Sequence, residues 1–263
     1  SLDIRSLLVP TFSSPSLISI PTDPDKVLRA TTTITGDYNG DGKMDIMLPG
    51  YYYYSVLLGR GDGTFQQLPP VSAYVMGMKN VLDGKSGDYN NDGRLDFSLL
   101  AGDKAMIGLG NGDGTFQPLK TVYGPPGSWP FAIENADLNV DGYSDIVSIY
   151  GTYDSYIMQT LMGSPDGNFS VSYSSTVATA SITSPHWIYI RDFNKDGKPD
   201  ALWGGSIYFG DGSGRFTERV ETRQDCATYL SAAVFTEDAN RDGFADLVYT
   251  CGDRIGVMFG DGT

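Results

Sequence analysis

The chain has 263 residues, a formal net charge of −14 and 40% hydrophobic residues, with 33 Gly and 17 Tyr. An acidic chain with no Lys/Arg stripe repels nucleic-acid phosphates, and no apolar run is long enough to span a bilayer. The single histidine, His186, and two cysteines, Cys226 and Cys251, remove most zinc chemistry and any mechanism needing two histidines.

In chain order, Thr11-Phe12 opens the first expected strand, near 11–16; the preceding residues lack the charged and apolar blocks of a leader peptide. Next comes an acidic loop, Asp37-Tyr38-Asn39-Gly40-Asp41-Gly42-Lys43-Met44-Asp45. The run Asp45-Ile46-Met47-Leu48 then reads as a strand, followed by a turn of Tyr51, Tyr52, Tyr53 and Tyr54 and a further strand at Val56-Leu57-Leu58. A hairpin turn follows in Gly59-Arg60-Gly61-Asp62-Gly63-Thr64-Phe65, where Gly and Asp supply the positive φ angles such turns need.

The whole order then recurs. Acidic loops start at Asp37, Asp88, Asp137, Asp192 and Asp238, spacings of 51, 49, 55 and 46 residues. Each keeps Asp, Asn, Asp, Gly and Asp at positions 1, 3, 5, 6 and 9. The repeats run approximately over 13–65, 66–116, 117–169, 170–216 and 217–263. Four short strands per unit and no helical periodicity predict an all-β propeller of five four-stranded blades. Phe12 lies 25 residues before Asp37, close to the 21–23 that separate Phe65, Phe116, Phe169 and Phe216 from their next loops. The N-terminal strand is therefore expected to close the last blade; the alternative is a fragment of a six- or seven-bladed ring.

Each loop offers hard oxygen ligands in a pattern that suits Ca²⁺ and lacks the thiolate or imidazole of zinc and copper sites. The expected ligands are Asp37, Asn39, Asp41, the Lys43 carbonyl and Asp45; Asp88, Asn90, Asp92, the Arg94 carbonyl and Asp96; and Asp137, Asn139, Asp141, the Tyr143 carbonyl and Asp145. The last two loops supply Asp192, Asn194, Asp196, the Lys198 carbonyl and Asp200, then Asp238, Asn240, Asp242, the Phe244 carbonyl and Asp246. An EF-hand would need Glu at position 12, where Leu48, Leu99, Ser148, Trp203 and Tyr249 stand. Five calcium ions, one per repeat, would shift the net charge from −14 to about −4, since each adds two.

Both motifs resemble those of the FG-GAP/VCBS repeat family, which includes the β-propeller of integrin α subunits and related microbial secreted proteins. The resemblance spans about Phe12 to Thr263 and implies a calcium-binding propeller, secreted or extracellular, with ligands bound on the face away from the calcium loops. Family propellers commonly have seven blades, whereas five repeats are present here.

The face opposite the loops carries the aromatic residues expected to bind a ligand: Tyr51, Tyr52, Tyr53, Tyr54, Trp129, Tyr153, His186, Trp187, Trp203 and Tyr229. Exposed rings beside polar groups suit stacking on sugars or gripping a peptide. The expected function is thus a carbohydrate-binding, lectin-like module with no nucleic-acid partner and no membrane insertion. The alternatives are an integrin-like protein-adhesion domain and a polysaccharide lyase or hydrolase. Against catalysis, His186 lacks an evident partner and most spaced carboxylates belong to the loops; Asp103, Asp154 and Asp253 remain over. The adhesion-like tripeptide Arg60-Gly61-Asp62 is in register with Asn111-Gly112-Asp113, so the turn explains its Gly-Asp. Asn168-Phe169-Ser170 has the glycosylation pattern, and Cys226 and Cys251 lie in one repeat, placed for a disulfide.

Overall fold

The computed structural model describes residues 32–50, 53–72, 81–179, 187–221, 234–251 and 254–260. The expected closing strand near 11–16, together with Tyr51, Tyr52, His186, Cys226, Tyr229 and Asp253, lies outside them. No helix occurs among the described residues, and hence none long and apolar enough to cross a membrane.

Among the described residues five antiparallel sheets follow one another along the chain. The first holds β1 (Ile34–Gly36), β2 (Asp45–Pro49), β3 (Tyr53–Gly59) and β4 (Phe65–Gln67), with β5 (Val71–Ser72) also paired to β3. The second holds β6 (Val81–Gly87), β7 (Asp96–Ala101), β8 (Lys104–Gly108) and β9 (Lys120–Tyr123). β10 (Trp129–Ala136), β11 (Asp145–Gly151), β12 (Ser155–Met162) and β13 (Ser170–Thr179) form the third. The fourth comprises β14 (Tyr189–Arg191), β15 (Asp200–Trp203), β16 (Ser206–Gly210) and β17 (Phe216–Glu221). Among the described residues the fifth has β18 (Val234–Glu237), β19 (Asp246–Cys251) and β20 (Arg254–Met258).

First strands of successive sheets touch, β1 against β6, β6 against β10 and β10 against β14. This is the blade arrangement of a β-propeller, in which each sheet lies flat against the next. The consequence shows in the burial pattern. β7 and β11 are buried at every residue, because a middle strand is covered by a neighbouring sheet on both faces and reads as an unbroken apolar run. Outer strands face water: in β17 only Phe216 is buried.

The core is divided among the gaps between sheets. Tyr38, Met47, Tyr54, Phe97 and Met106 fill the first gap. Tyr89, Leu100, Ile133 and Ile146 fill the second, while Leu138, Val147, Met158 and Trp203 fill the third. Phe193, Leu202 and Leu247 fill the fourth. Position 2 of four successive acidic loops (Tyr38, Tyr89, Leu138, Phe193) thus plugs the gap to the next sheet, anchoring a polar loop through one apolar side chain.

Two residues expected on the ligand face are core residues instead. Trp203 is 0% exposed and ends β15, its ring 5.1 Å from that of Tyr156 in the preceding sheet. Tyr54 is 4% exposed and lies in β3, packed 5.9 Å from Phe97. Both sit within strands rather than in the turns, so the adjacent sheet covers them. After Trp203 the chain reverses at once through Gly204 and Gly205, at φ 60° and 77°.

Candidate functional site

The five acidic loops share one conformation. In the first, Asp37 accepts the amides of Asp41 (3.1 Å) and Gly42 (2.8 Å), Asn39 accepts that of Asp41 (3.1 Å), and Asp41 accepts that of Lys43 (2.9 Å). The same four bonds recur in the second loop and the third. They recur again in the fourth and the fifth. Such Asx turns are why Asp and Asn occupy these positions: short acceptors satisfy amides that no strand can reach.

The fold of the loop needs left-handed backbone at positions 4 and 6. Position 6 is always Gly, at φ 79°, 81°, 90°, 82° and 87°. Position 4 is Gly40 in the first loop but Asn91, Val140, Lys195 and Arg241 elsewhere, at φ 56–63°. A β-branched residue there, Val140 at 58°, is strained by roughly 1–3 kcal/mol.

Position 9 behaves differently from the rest. Asp45, Asp96, Asp145, Asp200 and Asp246 are all 0% exposed. Each carboxylate takes backbone amides from two different turns. Asp45 accepts Tyr38 N–H at 2.9 Å and Gly59 N–H at 2.8 Å; Asp96 accepts those of Tyr89 at 2.8 Å and Gly110 at 2.7 Å. Asp145 pairs likewise with Leu138 and Gly163, Asp200 with Phe193 and Gly210, and Asp246 with Ala239 and Gly260. The glycine on the hairpin side is obligatory, since a Cβ on Gly110 would overlap the Leu95 carbonyl oxygen. Position 9 therefore joins the acidic loop to the Gly-Asp-Gly hairpin, a link that spacing alone did not reveal. Its signal was that each of these Asp residues begins a buried strand.

Burial, with the charges of Asp88 and Asp92 adding to it, pushes Asp96 up to about 6. Burial with Asp141 and Asp137 does the same to Asp145. As for a cation, the hard-oxygen chemistry of positions 1, 3, 5 and 7 fits Ca²⁺. Among the described residues, however, no group of three His, Cys, Asp or Glu side chains converges as a metal site. The carboxylates are turned to backbone amides, and position 5 is drawn to lysine in two loops, Lys43–Asp41 at 3.2 Å and Lys198–Asp196 at 3.6 Å.

At the opposite ends of the strands, Trp129 and Tyr153 come together. Trp129 opens β10 and faces Gly151 across the ladder, where the missing side chain leaves room for the Phe131 ring with the indole nitrogen beside it. Tyr153 tips the turn between β11 and β12. The rings meet edge to face at 5.4 Å, with Trp129 39% and Tyr153 93% exposed. The Thr152 hydroxyl holds this turn, donating to Asp154 at 3.0 Å while the Ser155 amide donates to it at 3.1 Å. Of the other expected face residues, Tyr53 is half-buried. Trp187 is half-buried against Tyr189, the rings 5.3 Å apart, in the gap between the fourth and fifth sheets.

A family model described as FG-GAP-like repeat matches residues 37–97, 88–148 and 137–203, more than half of the chain. No curated protein matches it significantly by sequence. Among solved structures, the chain is similar to an Agrocybe aegerita lectin recognising non-reducing terminal N-acetylglucosamine, at TM-score 0.64 and 19% identity, over 89% of this chain and 64% of that one. It is similar to a Bacillus licheniformis rhamnogalacturonan lyase at TM-score 0.57 and 15% identity, over 87% of this chain and 48% of the lyase. An exo-type rhamnogalacturonan lyase gives TM-score 0.58 and 15% identity, over 92% and 50%. The chain thus spans roughly half to two thirds of these structures, and at such identities the likeness is one of fold.

Proposed function

The chain belongs to the FG-GAP-like repeat family, and from that premise we propose that it is a secreted carbohydrate-recognition module stabilised by calcium. The observation that carries the reading is the exposed Trp129–Tyr153 pair at 5.4 Å, on the end of the blades away from the acidic loops. The exposed part of the indole and the Tyr153 ring present apolar faces to the C–H side of a pyranose, while the exposed Asp154 carboxylate, held by Thr152, accepts hydrogen bonds from its hydroxyls. Support comes from a lectin and two polysaccharide lyases that share the fold. In this reading the side chains at positions 1, 3 and 5 and the carbonyl at position 7 hold the ion. A bound Ca²⁺ would supply positive charge that neutralises the loop carboxylates and fixes the loop.

The test is a glycan array in calcium with the wild type, Trp129→Ala and Tyr153→Ala. Binding by the wild type, lost by both variants while their melting temperatures stay unchanged, is the expected result. A blank array overturns carbohydrate recognition and leaves adhesion to a protein partner. Cleavage of a bound polysaccharide, abolished by Asp154→Asn, would instead make the module an enzyme.

A further inference from the structure

A second exposed ring stands at the same end of the blades as the first pair, with a different chemistry. Tyr123, 63% exposed, ends β9 and is the cross-strand partner of Lys104, whose ammonium lies 5.5 Å from the ring centre. Lys43, Lys85, Arg191, Lys198 and Arg219 each have a carboxylate within 4 Å. Among the described residues Lys104 has none, and its ammonium faces the aromatic ring. The patch lies at the same end of the blades as the Trp129–Tyr153 platform, on the neighbouring sheet. Gly124, next to Tyr123, lies against the ring of Tyr150 and donates its amide to the Asp103 carbonyl at 2.8 Å. Gly151, next to Tyr150, lies against Phe131 and the Trp129 indole nitrogen. The link between the second and third sheets is held by Ser128, whose hydroxyl donates to the Pro125 carbonyl at 2.6 Å.

Resting on the carbohydrate reading above, we propose that the end of the second and third sheets is a two-part glycan site. Lys104 on Tyr123 takes an anionic sugar, and Trp129 with Tyr153 takes the neutral sugar joined to it. Chemistry assigns the two halves. A carboxylate on the sugar finds an ammonium with no carboxylate within 4 Å among the described residues, and a charge-assisted hydrogen bond follows; the ring of Tyr123 gives the same sugar an apolar face. At the other half Asp154 would repel a uronate and accept the hydroxyls of a neutral ring. The pairing sets a direction along the glycan and a preference for chains that alternate charged and uncharged units.

The experiment is calorimetric titration of the calcium-loaded chain with an aldobiouronate, a disaccharide of one uronate and one neutral hexose. Its carboxyl-reduced counterpart is titrated in parallel, with wild type, Lys104→Gln and Tyr153→Ala. The expected result is a three- to tenfold preference for the acidic disaccharide, shrinking with added salt. Lys104→Gln should erase the preference while binding the reduced disaccharide as before, and Tyr153→Ala should weaken both alike. Equal affinity of the wild type for the two disaccharides, or a preference that survives Lys104→Gln, overturns the assignment while leaving carbohydrate recognition standing. No binding of either disaccharide overturns this site; a blank glycan array besides would remove the reading on which it rests.

Discussion

The two ends of the blades are built on opposite plans. At the acidic end, nine residues repeat five times with the same hydrogen bonds, so that every loop is interchangeable with its neighbours in conformation. At the other end the described turns share no sequence: Gly102-Asp103 and Gly204-Gly205 are two residues long and differ in charge, while Thr152-Tyr153-Asp154 has three and carries an exposed ring. The repeated end is where backbone is satisfied and sheets are latched. Variation is tolerated at the far end because its turns make few bonds the fold depends on, and variation is what recognition requires.

The sharpest way to break this contrast is to cut a latch. Asp96→Ala leaves the amides of Tyr89 and Gly110 buried without acceptors, at about 1–3 kcal/mol each. A loss of about 3 kcal/mol in urea denaturation is expected, and it should be the same in chelator as in calcium. If the loss vanished in chelator, position 9 would be a metal ligand first and a latch second. Next in size is calcium itself. At a hundredfold excess over Kd an occupied loop gains about 2.7 kcal/mol, which should appear as a rise in melting temperature. Asp92→Asn should remove part of that rise yet change little in chelator, since Asp92 lies in an exposed part of its loop.

A smaller effect should run the other way. Val140→Gly relieves a β-branched residue at φ 58° and is expected to stabilise the protein by about 1 kcal/mol, the strain relieved exceeding the entropy that Gly adds to the unfolded chain. Asn91→Gly, starting from a residue that tolerates this backbone, should gain less. Smallest of all is a titration. The Thr115 hydroxyl and amide hold the exposed Asp113 below the usual carboxylate range. A lowered folded value means its contribution is present above the unfolded pKa and disappears as pH falls through the folded one. Acid melts of Asp113→Asn should therefore differ slightly from wild type at neutral pH and converge with it at the lowest pH; a gap that persists in strong acid would contradict that origin.

Much of this was legible in the sequence. The spacing of Asp37, Asp88, Asp137, Asp192 and Asp238 led to the repeat and the all-β blades, because a unit that cannot bury its own faces must stack on copies of itself. The aromatic face was legible only in part. Trp129 and Tyr153 stand at strand ends and are exposed, but Trp203 and Tyr54 look alike in sequence and are buried. Alternation could not separate them, since β3 and β15 are covered on both faces and the usual two-residue period is lost. The double duty of Asp45 and its equivalents was hidden for another reason: a carboxylate that accepts amides and one that binds a cation leave the same mark in a sequence.

Among the described residues the main path of every sheet keeps its strands in sequence order, with β5 set beside β3, and each buried carboxylate finds its amides close by, Asp45 reaching back 7 residues to Tyr38 and forward 14 to Gly59. Contacts within a blade are thus local, and the loop-closure entropy that slows β proteins with distant strand pairings is small. The chain can fold one blade at a time as it is synthesised, each finished sheet offering its apolar face as a template for the next.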